Sequence, residues 1–159
     1  MNRILITATL LIGFSSALYA YTPNLSLLAS TNNAKYYIDK NSIKTVSKNI
    51  KQSVIYEKFK TPVTTDGYEP YKSNIKYHNF NCKERSIAVY KGDYYGGQTS
   101  NSEFIGYFNN ASYIDGYTGE GRVDKSILEY YTLSELKKDY PYTRITPAFV
   151  QAFNVTCKN

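Results

Sequence analysis

The 159 residues contain no tryptophan, one histidine, one methionine and two cysteines. The single histidine, His78, excludes relay designs that need two. General-base work on it would also need a nucleophile and an orienting group that no nearby motif supplies. A lone histidine between Tyr77 and Asn79 on a predicted strand therefore reads as a surface or rim residue. The glycine pattern of a phosphate-binding loop is missing as well. Aspartates and glutamates are scattered, and no local pattern pairs two of them for glycoside cleavage. The run "DGYTGEGRVD" (Asp115 to Asp124) lacks the alternate-position oxygens of a calcium loop and reads as a glycine-rich connection. No catalytic residue, cofactor or metal is expected.

Long apolar runs are scarce too. One stands at the start, where Met1 to Arg3 give a short positive beginning and Ile4 to Phe14 an uncharged core. The small residues of "SSALYA" follow. This is the layout of a secretory signal peptide over residues 1–20, with cleavage after Ala20 or Ala17. Its apolar stretch is short for a retained membrane anchor. The expected mature unit is residues 21–159, exported and without a membrane span. No cysteine follows the leader to carry a lipid, so the periplasm, the cell surface and the medium are all open destinations.

In an exported chain, Cys82 and Cys157 most simply form one disulfide; a metal site using both thiolates is the alternative. The formal charge is +6; removing Arg3 with the leader leaves 18 basic and 13 acidic residues, a net +5. That surplus suits weak attraction to anionic surfaces. No nucleic-acid partner is expected. Tyrosine is the abundant residue, at 18. It suits half-buried strands, and it suits recognition surfaces because it joins a large apolar ring to a polar tip.

Along the chain, Leu25 to Thr31 and "AKYYID" flank Asn32-Asn33 as a hairpin. Asp39 to Ser42 read as a polar turn. Ile50 to Lys60 is an extended run, and Pro62 to Pro70 a long loop. From Lys72 to Cys82 the pattern alternates, with Ile75 and Tyr77 on one face and Lys72, Lys76 and His78 on the other. Phe80 shares the basic side, which implies a bulge or twist near Asn79. Ser86 to Tyr95 is the strongest strand pattern, ended by Gly96-Gly97, and Glu103 to Phe108 is a shorter one. Thr132 to Glu135 has capping-box spacing and opens a short helix. Thr146-Pro147 opens an amphipathic one through Phe149, Val150 and Phe153. The expected fold class is α+β: an antiparallel sheet of about five strands with a packed C-terminal helix and one disulfide.

The basic residues Lys72, Lys76, His78, Lys83 and Arg85 gather on one strand and the turn after it. Lys72 and Lys76 would project alike, and Tyr68 and Tyr71 would flank the stripe. A solvated edge strand would look the same.

"YYID" with "SI" three residues on, after a short apolar strand, resembles the start of the bacterial surface-adhesin E family. "YEP" (Tyr68 to Pro70), a basic strand ending at Asn81-Cys82, and a strand reaching Tyr94-Tyr95-Gly96-Gly97 follow in the family's order. The proline-opened helix ending at Cys157 is similar too. Residues 98–143 stand outside the likeness as an insertion or variable region. The resemblance implies a non-enzymatic adhesin for host extracellular-matrix or serum proteins such as vitronectin and laminin. It also implies the Cys82–Cys157 bridge, allows a homodimer, and places ligand binding on Lys72 and Lys76. The other reading is a periplasmic protein without an adhesive role, such as an inhibitor of an envelope-directed enzyme.

Overall fold

The computed structural model describes residues 21–64, 67–110, 112–114, 121–123, 128–139 and 145–158. The expected leader, residues 1–20, lies outside them, as do Asp115 to Glu120 of the glycine-rich run. Six antiparallel strands follow one another in sequence order across a single sheet: β1 (Leu25–Ser30), β2 (Ala34–Ser47), β3 (Ile50–Val63), β4 (Tyr71–Asn81), β5 (Ser86–Tyr95) and β6 (Phe104–Asn109). A hairpin of β7 (Ser112–Ile114) and β8 (Gly121–Val123) stands apart, and β9 (Tyr131–Thr132) adds a seventh strand beside β5. Two helices close the chain, α1 (Leu133–Asp139) and α2 (Ile145–Cys157). The α+β expectation holds, with a wider sheet than the five strands expected.

Local chemistry explains most boundaries. The capping box before α1 is reciprocal: the Glu135 carboxylate accepts the Thr132 N–H at 2.6 Å, and the Thr132 hydroxyl accepts the Glu135 N–H at 3.2 Å. Asn49 and Arg85 take the left-handed backbone that tight turns require, at φ 67° and 54°. The turn expected over Asp39 to Ser42 is absent. There β2 runs on through an irregularity in its pairing with β3, between Asp39 and Lys44. Asp39 is buried, and its carboxylate accepts the N–H groups of Asn24 and Asn41 at 2.9 and 3.0 Å. The Ser42 hydroxyl meanwhile bridges the Asp39 carbonyl and the Val54 N–H. These polar residues stabilise a β-bulge instead of reversing the chain.

One face of the sheet carries α2. Ala148, Ala152, Phe153 and Thr156 recur at helical spacing and are all buried. Ala152 and Phe153 pack with Ile55, Phe80 and Ile87, and Ala148 with Ala34 and Tyr36, while the Thr156 hydroxyl donates to Ser53 Oγ at 3.3 Å. Burying Phe80, which has no exposed surface, contributes roughly 1.5–3 kcal/mol. Cys82 and Cys157 are bonded, with their Cα atoms 5.6 Å apart, so the last helical residue is tied to the end of β4.

Candidate functional site

Strand β4 decides which side chains a partner can reach. Its even positions, Asn74, Lys76, His78 and Phe80, share the helix-covered face with Ser53 and Glu57 of β3, their register neighbours. The basic side of β4 is therefore an inner side. His78, expected on the surface or rim, is completely buried between Phe80 and Phe149, with ring centroids 6.1 and 5.6 Å away. Its Nδ1 lies 3.2 Å from the Lys76 carbonyl, so the neutral ring carries its proton there, and Nε2 finds no partner. Burial, with Lys76 nearby, pushes its pKa down to about 4. The ring is neutral at physiological pH and shielded from any substrate.

Lys76 does not project into solvent either. Its ammonium donates to the Glu57 carboxylate at 3.1 Å, and Asn74 Nδ2 donates to the same oxygen at 2.8 Å. Burial alone would raise the Glu57 pKa, but Lys76 and these hydrogen bonds hold it below the usual carboxylate range. Tyr68, Tyr71, Tyr94 and Phe108 stack beside this pair, with Tyr71–Tyr94 and Tyr68–Tyr94 centroids at 4.5 and 4.8 Å. Tyr71 is buried. Of the expected basic stripe, Lys72 stays half-exposed at the start of β4. Lys83 pairs with Glu84 in the turn at its far end, at 3.4 Å, and Arg85 sits over the Phe153 ring, at 5.0 Å. A strand of that length separates the two ends by roughly 30 Å. The structure does not bring the stripe together.

The opposite face is a different surface. Strand registers lay out three rows across it. One runs Leu27, Tyr37, Tyr56, Ile75, Asp93, Tyr107; its neighbours run Leu25, Asp39, Val54, Tyr77, Lys91, Asn109 and Lys35, Lys58, Ser73, Tyr95, Phe104. Among the described residues no helix lies over these rows; Tyr21 and Asn24 reach the face at Asp39, whose carboxylate they bond, and a segment carrying Leu128 and Tyr130 covers its end beside Ala88 and Tyr90. Lys58 lies over the Tyr37 ring at 5.6 Å and Lys91 over Tyr77 at 3.9 Å, cation–π contacts that fix both rings. The Tyr56, Tyr77 and Tyr95 phenols all have raised pKa values, through burial first and then neighbouring carboxylates. They remain neutral hydroxyls able to donate and accept. At the two margins Leu25, Leu27, Phe104 and Tyr107 are 37%, 56%, 55% and 66% exposed.

This tyrosine face was not foreseen from the sequence. The signal was there, since Tyr37, Tyr56, Tyr77 and Tyr95 each alternate within their strands, but only the registers align them. Among the described residues no three His, Cys, Asp or Glu side chains gather as a metal site. No described helix is long and apolar enough to cross a membrane.

Fold and surface together define a disulfide-closed sheet-and-helix domain whose accessible chemistry is aromatic and hydrogen-bonding. The family model of surface-adhesin protein E matches residues 25–130, and the chain belongs to that family. Comparison with curated proteins and with solved structures finds no match.

Proposed function

We propose that this is an exported, non-enzymatic binding protein that adheres to host extracellular-matrix or serum proteins, vitronectin and laminin among them, through its tyrosine face. Family membership supports the adhesive role, and the observation that carries the choice of surface is the set of aromatic rows that no described helix covers. Tyrosine gives large contact area at low cost in side-chain entropy and keeps a polar tip for hydrogen bonding. Antiparallel sheets commonly bury one face and present the other. Exposed Leu27, Phe104 and Tyr107 at the margins extend the apolar contact area. Lys72 remains the candidate for electrostatic attraction.

The test is biosensor binding of the mature protein to immobilised vitronectin and laminin. The Leu27→Lys/Tyr107→Lys variant should weaken binding at least roughly tenfold with the fold intact, because it replaces two large exposed apolar side chains with charges. Lys72→Glu should lower the association rate and flatten its salt dependence. Lys76 is unsuitable for this test, because reversing it would place two carboxylates together in a buried site. If neither protein binds, the adhesive reading fails; if both variants bind as the parent does, the face is wrong. Protease access on intact cells checks surface exposure separately.

A further inference from the structure

Where the tyrosine face meets the β5–β6 loop lies a cleft of about 150 Å³, lined among others by Leu25, Tyr56, Lys58, Ser73, Gln98 and Thr99. Its polar wall is held in place. The Ser73 hydroxyl donates to the Gly97 carbonyl at 2.7 Å, Gln98 Nε2 donates to the Phe59 carbonyl, and the Ser102 N–H donates to the Thr99 carbonyl at 3.0 Å. These bonds leave Gln98 Oε1 and lone pairs of the hydroxyls for a ligand. Glu57 borders the cleft, but its carboxylate is bonded to Lys76 and Asn74. Lys58 is the remaining charge; its ammonium lies over the Tyr37 ring at 5.6 Å, and among the described residues no carboxylate reaches it.

The cleft is smaller than the roughly 300–1,000 Å³ of drug-sized sites, so it takes one small unit of a larger molecule. It offers an aromatic side chain, a wall of hydroxyl and amide groups, and one positive charge. A sugar ring matches each of these, with a C–H surface for tyrosine and hydroxyls for the wall; a carboxyl group would meet the lysine. An acidic amino-acid side chain would satisfy only the lysine and leave the polar wall unpaired. The geometry points to this cleft as a subsite for one carboxylated sugar unit of a host glycan. The assignment rests on the reading of the protein as a binder of host macromolecules.

The experiment titrates the full mature protein with 3′-sialyllactose, a glucuronic-acid-containing tetrasaccharide, and lactose, followed by NMR shifts of the amides in 96–100. At least one acidic sugar should bind, with lactose roughly ten- to hundredfold weaker, the range expected for one charge-assisted contact. The two acidic probes separate glycoprotein termini from glycosaminoglycans as the source. Lys58→Gln should bring the acidic sugar to the lactose level. Ser100→Trp, on the exposed rim, should block the cleft and remove sugar binding. Equal affinity for lactose, an unchanged Lys58→Gln variant, or an acidic hexapeptide that binds as well as the sugar overturns the assignment. Vitronectin whose affinity is undiminished by enzymatic removal of its acidic sugars also overturns it, while leaving the adhesive reading in place. Sugar binding without any binding to matrix proteins supports the subsite and refutes that reading.

Discussion

Acidification should weaken the fold through His78, and the size of the effect follows from its burial. In the unfolded chain the imidazole titrates near 6.5, whereas in the folded protein burial and Lys76 hold it at about 4. The folded state thus resists a proton that the unfolded state accepts. Stability is complete above the unfolded value and is lost as pH falls through the folded one. The full loss is about 3 kcal/mol, of which about 2 kcal/mol is gone by pH 5. Glu57 has a lowered pKa, so its own contribution declines below its ordinary value of 4.5. The interval from pH 7 to 5 therefore isolates the histidine. Urea unfolding at pH 7, 6 and 5 measures it, with His78→Phe as the comparison. Phenylalanine fills similar space between Phe80 and Phe149 and removes the unpartnered Nε2. The parent should lose about 2 kcal/mol over this interval and the variant much less, with unchanged denaturant slopes. Parallel losses in the two proteins would refute the reasoning, because they would mean that His78 titrates alike in the folded and unfolded chains.

Two further outcomes follow from covalent and steric geometry. Replacing Cys82 and Cys157 by serine opens a bridge between residues 75 apart; the chain-entropy model gives a loss of about 4 kcal/mol, readable as a lower urea midpoint. Gly92→Ala would set a Cβ 2.4 Å from the Phe108 ring and 3.2 Å from the Lys76 side chain. It should cost roughly 1–3 kcal/mol, and a melting temperature equal to the parent's would show that the ring moves aside freely.

How far the sequence could be read depends on whether the determinant is local. The alternation of Ser86 to Tyr95 and the capping box at Thr132 act within a few residues, and both elements occur where the pattern puts them. The run from Asp39 to Ser42 has turn composition, yet its fate is set by Tyr21 and Asn24, which bring their donors to Asp39 from 18 and 15 residues away. On β4 the period was legible but the sidedness was not. A lysine and a histidine suggest solvent, and nothing near them announces that Glu57 lies across the strand pair to neutralise Lys76. Phe80, on the same side as His78, was the clue that this face is the core. The tyrosine rows are invisible for a related reason: their tyrosines are spread over five strands, and pairing registers are products of the fold.

On the proposed function, the two faces of β4 separate stability from recognition. The inner residues from Asn74 to Phe80 are held by a helix, an ion pair and a disulfide, so substitutions there act on folding first. On the outer side Val54 and Ile75 are each only 9% exposed although no described helix lies over them. That floor is thus largely sheltered, and the face presents tyrosine hydroxyls in place of bare aliphatic surface. A partner docking there would gain contact from Leu27, Phe104 and Tyr107 without having to uncover a core. Changes at those margins should therefore alter binding while leaving the unfolding transition nearly where it was. That uncoupling would let substitutions on the exposed rows change binding while the sheet keeps its fold.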